Sequence, residues 1–223
     1  MTADHDHEHD HPHEHGEREF QPDLEDTVPF SEYAYLETAV RELLIEKGIV
    51  TADQSRSAIE TIDARGPHLG AQVVARAWTD LDFKARLLAN GSDTVEELDI
   101  KVKPMKLLVV ENTADVHNVV VCTLCSCYPR FLLGKPPLWY KSRAYRSRVV
   151  REPRAVLAEF GTTLPDGIEV RVHDSTADMR YLVLPKRPAG TEGMDERDLA
   201  ELVTRDAMVG VALPKTPEAL AAE

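Results

Sequence analysis

Val119-Val120-Val121-Cys122-Thr123-Leu124-Cys125-Ser126-Cys127-Tyr128-Pro129 decides how the rest of the chain is read. A β-branched run leads into a cluster that holds every cysteine of the protein. Three thiols within six residues, with no distant cysteine, do not form a disulfide framework and suit metal ligation or redox chemistry. In Cys125-Ser126-Cys127 the two sulfurs and the amide nitrogens of Ser126 and Cys127 can wrap one ion in fused chelate rings. Cys122 then reaches an axial position, and the sixth site is left to water or substrate. Deprotonating peptide nitrogens asks for a strongly polarising ion, which trivalent cobalt or iron satisfies and zinc seldom does. With one position open, such an ion acts as a Lewis acid. Spacing alone leaves other readings open. Half a zinc site would lack a second cysteine pair, with only His117 nearby. A thioredoxin-like pair would lack a helix opening at its first cysteine. Three buried structural cysteines are the bland alternative.

Around the cluster, residues 106–110 and 117–122 read as strands separated by a turn at 111–115. Upstream the period is helical. Leu36, Val40, Leu43 and Leu44 recur at helical spacing and Gly48 stops the run. Thr51-Ala52-Asp53-Gln54 forms a capping box for a second helix, with Ile59 and Ile62 on its buried side. A third helical stretch covers about 69–90 and restarts at Thr79-Asp80, before Phe83, Leu87 and Leu88. Downstream, Pro129, Gly134, Pro136 and Pro137 mark an irregular segment. Residues 151–160 read as a helix ended by Gly161, and 168–172 as a strand with 180–184 as its hairpin neighbour. Asp195 caps a last helix carrying Leu199, Leu202 and Val203. Helices first and strands later, without a βαβ rhythm, point to an α+β layered domain rather than a doubly wound sheet.

The chain has 223 residues, a formal charge of −13 and a pI near 5.1. That balance argues against nucleic acid and anionic membrane as partners. No apolar run reaches the roughly 20 residues that cross a bilayer. Met1-Thr2-Ala3-Asp4-His5 has neither a basic nor an apolar leader region, so the cytoplasm is the expected location. His5, His7, His9, His11, His13 and His15 alternate with acids and proline, and residues 1–27 are expected to be a disordered tail. Metal capture by those imidazoles and a solvated tail without a role are both open.

The cysteine stretch resembles the α-subunit signature of nitrile hydratases and of the related γ subunit of thiocyanate hydrolase. The likeness extends over roughly residues 31–213. It includes Val110-Glu111-Asn112-Thr113 and His117-Asn118 before the cluster, then Leu133-Gly134, Pro136-Pro137, Trp139-Tyr140-Lys141, Tyr145-Arg146 and Val156-Leu157-Ala158-Glu159-Phe160-Gly161. Arg187-Pro188-Ala189-Gly190-Thr191-Glu192-Gly193 and Leu202-Val203-Thr204-Arg205-Asp206 complete it. The expected organisation is a tail over 1–27, an N-terminal helical arm over 28–100, a layered α/β/β/α catalytic domain over 101–214 and a short C-terminal tail over 215–223.

The resemblance implies one cobalt(III) per chain, iron(III) being the other family metal, with Thr123 matching the cobalt type. Cys122 would be an unmodified axial thiolate, Cys125 a sulfinic acid and Cys127 a sulfenic acid. The amides of Ser126 and Cys127 would be the remaining ligands. Sulfenic acids are normally fragile; in the family, arginines of a β-type partner, single or split, protect this one. The assembly is expected to be a heterodimer or larger, the lone chain poorly active, and the reaction the hydration of a small-molecule nitrile to its amide. The nitrile would bind the metal, and the Cys127 sulfenate or a water it activates would attack. Around the claw, Tyr128 reads either as a support through its hydroxyl or as an ordinary buried tyrosine, and Asp174-Ser175 matches a family position near the metal or is a plain turn pair. His117 and Asn118 are candidates to bond the claw backbone or are satisfied polar groups of the core. Trp139 and Tyr140 read as core, as a substrate mouth or as a subunit interface, and Arg146, Arg148 and Arg154 as solvated or interface charges. Arg130 stands where nitrile hydratases commonly carry tryptophan, as does Met194 at a second place. Arg130 resembles the thiocyanate hydrolase pattern and suits a polar or anionic substrate. A cobalt carrier or maturation protein is the non-enzymatic alternative.

Overall fold

The computed structural model describes residues 32–222; the tail expected over 1–27 lies outside them. Five helices come first: α1 (Glu32–Glu46), α2 (Ala52–Asp63), α3 (Pro67–Thr79), α4 (Leu81–Ala89) and α5 (Gly91–Glu96). Their boundaries follow local chemistry. Thr51 accepts from the Gln54 amide while the Gln54 side chain returns the bond, closing the expected capping box on α2. Asp80 ends α3 and caps α4 by accepting from the Phe83 amide. Asn90 does the same for α5, which the helical period alone does not separate from α4.

The five helices divide by burial. α3 buries Val73, Val74, Ala75 and Ala77, and α4 buries Phe83 and Leu87. By contrast, α1 and α2 bury nothing. Ile59 and Ile62, expected on a buried face, are 41% and 46% exposed. They face an open apolar groove shared with Leu36, Val40 and Ile49.

Four strands follow: β1 (Lys106–Glu111), β2 (Val116–Val121), β3 (Glu169–Asp174) and β4 (Met179–Leu184). All pairing is parallel, β1 with β4 and β2 with β3, in two two-stranded sheets. The expected hairpin between the last two strands does not form. Residues 175–178 carry the chain from one sheet to the other, so consecutive strands take different partners. The continuous apolar runs Val119-Val120-Val121 and Leu182-Val183-Leu184 explain the choice, because strands covered on both faces suit parallel pairing; all six residues are essentially buried. α4 and α5 pack on β1, the two sheets meet through β2 and β4, and α9 (Pro153–Glu159) covers β3. This is the expected α+β helix–sheet–sheet–helix layering.

The irregular segment after the cysteines contains three short helices, α6 (Arg130–Leu133), α7 (Leu138–Lys141) and α8 (Arg143–Arg148). The chain closes with α10 (Glu196–Glu201), capped by Asp195 as expected, then α11 (Arg205–Val209) and α12 (Pro217–Leu220). Gly210 ends α11 at φ +91°, and a Cβ there would lie 2.0 Å from the Asn118 carbonyl oxygen. Only glycine lets this loop approach β2 so closely. Among the described residues, no helix is long and apolar enough to cross a membrane.

Candidate metal centre

β2 delivers the chain to the cysteine cluster. Cys122, directly after its last residue, is buried; Cys125 is exposed and Cys127 is buried on the return. Their three sulfurs lie within 4.8 Å of one another. Cys122 and Cys125 Sγ are 3.4 Å apart, and Cys125 and Cys127 Sγ are 3.3 Å apart. With metal–sulfur bonds of about 2.3 Å, thiolates at adjacent corners of an octahedron stand about 3.3 Å apart, and those of a tetrahedron about 3.8 Å. At this spacing all three sulfurs are within reach of a single ion. The Cys125 amide also donates to Cys122 Sγ at 3.2 Å, which tightens the turn.

The loop is pinned from two sides. In the β2–β3 register Val121 lies opposite Asp174. The Asp174 carboxylate accepts from the Thr123 amide at 2.9 Å and from its hydroxyl at 2.5 Å. The Ser175 amide donates to the Val121 carbonyl, and its side chain is buried. On the other side, Tyr140 Oη donates to the Cys127 carbonyl at 2.8 Å and Tyr145 Oη to the Val120 carbonyl at 2.7 Å. Tyr128 is buried edge-on against Tyr140, with ring centroids 4.9 Å apart. Trp139 and Phe160 continue the aromatic stack, so Trp139 and Tyr140 are core residues rather than a substrate mouth. Burial pushes the phenols of Tyr140 and Tyr145 up, which keeps both as neutral donors.

The thiols are not equivalent. Burial pushes Cys127 up to about 12, helped by the neighbouring sulfurs of Cys125 and Cys122 and opposed by the Arg180 guanidinium. Exposed Cys125 is held below the usual thiol range by hydrogen bonds from the Cys127 and Cys122 thiols, then from the Ser126 amide.

A family model described as "Nitrile hydratase, alpha chain" matches residues 31–212. The chain belongs to that family. It is 48% identical over 198 residues to the low-molecular weight cobalt-containing nitrile hydratase subunit alpha of Rhodococcus rhodochrous, covering 87% of this chain and 96% of that one. Among solved structures, a recombinant thiocyanate hydrolase comprising partially modified cobalt centres superposes with a TM-score of 0.78 at 43% identity, covering 85% of this chain and 93% of its own. A double mutant of the Fe-type nitrile hydratase from Comamonas testosteroni Ni1 gives 0.76 at 42% identity, covering 85% and 95%.

Within this member of the family, the remaining candidates separate. Arg130 opens α6 and is exposed. His117 and Asn118 do not bond the claw. His117 Nε2 meets the Gly210 carbonyl at 2.7 Å, and Asn118 bonds Asn112, the Glu111 carbonyl and His173. Arg148 is tied to Glu152 and Glu159, and Arg154 to carbonyls at 164–168. Arg146, expected as a solvated or interface charge, donates to the Thr123 carbonyl at 3.4 Å. Sequence reasoning missed the carbonyl-holding role of Tyr140 and Tyr145. Their spacing from the cysteines carries no period, and only their aromatic company in 139–145 hints at burial.

Proposed function

We propose that this chain is the metal-bearing α-type subunit of a cobalt-type nitrile hydratase, adding water to a nitrile to give the amide. The observation that carries the reading is the gathering of three thiols within 4.8 Å on a loop pinned by Asp174, Tyr140 and Tyr145. Cys122, Cys125, Cys127 and the amides of Ser126 and Cys127 would hold the ion. Cobalt(III) rather than iron(III) is favoured by Thr123 and by the cobalt-containing relative. When bound, the ion supplies Lewis acidity to a nitrile at its one open position. Cys127, oxidised to a sulfenic acid as the family resemblance implies, would supply the oxygen that attacks the nitrile carbon or takes the proton of the attacking water. Cys125 is a sulfinic acid in the same reading. Asp174 orients the loop through Thr123, while Ser175 and Tyr128 fill the floor beneath it.

The exposure of Cys125 and of Leu124, 89% exposed at the loop tip, supports a partner that covers the claw. We assign that role to a β-type subunit, single or split, whose cations would guard the oxidised sulfurs, and we place the assembly in the cytoplasm. Exposed Arg130 close to the claw, with the thiocyanate hydrolase likeness, supports a second reading as a γ-type subunit of thiocyanate hydrolase. The test is the co-expressed complex assayed against nitriles and thiocyanate, with amide and carbonyl sulfide as readouts. Amide formation supports the first reading, carbonyl sulfide the second. Unmodified thiols throughout would sink both and favour the cobalt carrier. For the histidine tail, metal capture and a solvated tail without a role are told apart by deleting residues 1–16: lowered cobalt occupancy at limiting metal supports capture, and unchanged occupancy a tail without a role.

A further inference from the structure

Beside the claw runs a stretch whose charge is opposite to that of the chain as a whole. Lys141 at the end of α7, Arg143 and Arg146 on α8, and Arg151 just beyond make no ion pair among the described residues, whereas Arg148 in their midst is neutralised by Glu152 and Glu159. No other described stretch of this length carries four such cations. Lys141, Arg143 and Arg151 are exposed. The stretch borders the metal centre directly, since Arg146 donates to the Thr123 carbonyl and the hydroxyls of Tyr140 and Tyr145, from the same segment, hold the Cys127 and Val120 carbonyls.

The chain also contains the complement to this surface. Residues 1–26 carry ten acidic side chains (Asp4, Asp6, Glu8, Asp10, Glu14, Glu17, Glu19, Asp23, Glu25 and Asp26) against the single cation Arg18. Much of the net charge of −13 therefore resides in that one segment. Thirty-one residues precede Glu32, and at about 3.3 Å each they span up to roughly 100 Å. A body of this size has a radius of gyration of about 16 Å, so every face is within reach. We propose that the N-terminal segment 1–26 docks on the basic stretch 141–151, at the edge of the metal centre, as an intramolecular acidic partner. Oppositely charged surfaces within a Debye length attract, and the contact weakens as salt screens it. Charge and reach alone drive this docking, so it holds whichever substrate the centre takes.

Zero-length carbodiimide cross-linking joins carboxylates to lysines, and Lys141 is the one lysine of the stretch. The full-length chain, alone and in complex with its partner, is cross-linked at low salt and mapped by peptide mass spectrometry. The expected result is that carboxylates of residues 1–26 join Lys141 severalfold more than Lys47, Lys101 or Lys106. The excess should vanish at high salt and in the double variant Arg143→Glu/Arg151→Glu. The salt arm uses the native chain, so it does not depend on the variant folding. Even yields across the lysines, or an excess insensitive to salt, would overturn the proposal. Cross-links from Lys141 to partner carboxylates, with none to residues 1–26, would overturn it too and give the surface to the partner.

Discussion

At the level of single residues, the centre depends on side chains that never touch an ion. Asp174 accepts both the amide and the hydroxyl of Thr123, and losing such an oriented carboxylate typically costs about 10- to 100-fold in metal affinity. Asp174→Ala should therefore lower cobalt occupancy by about that factor at limiting metal, measured by elemental analysis. Asp174→Asn keeps one acceptor and should recover part of it. Equal occupancy in all three proteins would remove Asp174 from the account. Tyr140→Phe keeps the ring but leaves the Cys127 carbonyl without its donor. The expected loss is about 1–3 kcal/mol in urea unfolding, the usual cost of a buried group left unpaired. Cysteine spacing and Thr123 were readable because the whole cysteine cluster lies within six residues. Asp174 was readable only as a position near the metal. Its actual partner lies 51 residues away, and local pattern contains no pairing information at that range.

Among the elements, a directed run of hydrogen bonds ties three strands to the α11 turn. His173 Nε2 donates to Asn118 Oδ1, the Asn118 amide to Asn112 Oδ1, and the Asn112 amide to His117 Nδ1. His117 Nε2 then donates to the Gly210 carbonyl. His117 must be neutral, because its Nδ1 accepts from the Asn112 amide while its Nε2 donates to the Gly210 carbonyl. Burial holds His117 below the usual imidazole range, and burial together with the Arg171 guanidinium does so for His173. Tyr181 stacks on His173, and Glu111, whose carboxylate pairs with Lys84, adjoins Asn112. The unfolded histidines take protons at about pH 6.5, before the folded ones do. The stability they lend is thus whole above that pH and is lost as the pH falls towards the lowered folded values. The urea midpoint should drop between about pH 7.5 and pH 5.5, a window that brackets the ordinary histidine value, and His117→Gln should flatten that slope. A slope unchanged by the substitution would contradict this network. Helix caps such as Thr51, Asp80 and Asp195 were legible because a cap and its target amide sit three residues apart. The strand pairing was not: a parallel partner is chosen by burial on both faces and reached by a long crossover, so adjacency in sequence misled.

At the scale of the whole molecule, the described residues leave apolar surface open at the claw and along the α1–α2 groove. Leu124 and Cys125 stand open at the claw, and the α1–α2 groove presents Leu36, Val40, Ile49, Ile59 and Ile62. If a partner supplies the donors that guard Cys127, the lone chain should turn over nitriles at least roughly 100-fold more slowly than the complex, the size of effect seen on losing one oriented donor. Full turnover by the lone chain would contradict that. Everything turns on Cys125-Ser126-Cys127 lending two sulfurs and two peptide nitrogens to one ion, with Cys122 as the third sulfur. X-ray absorption at the metal edge of the cobalt-loaded complex reads that ligand set atom by atom. It should show three sulfur scatterers at about 2.3 Å and two nitrogen scatterers without the outer-shell signature of imidazole. A shell of sulfur alone, or nitrogen carrying the imidazole signature, would refute the chelate.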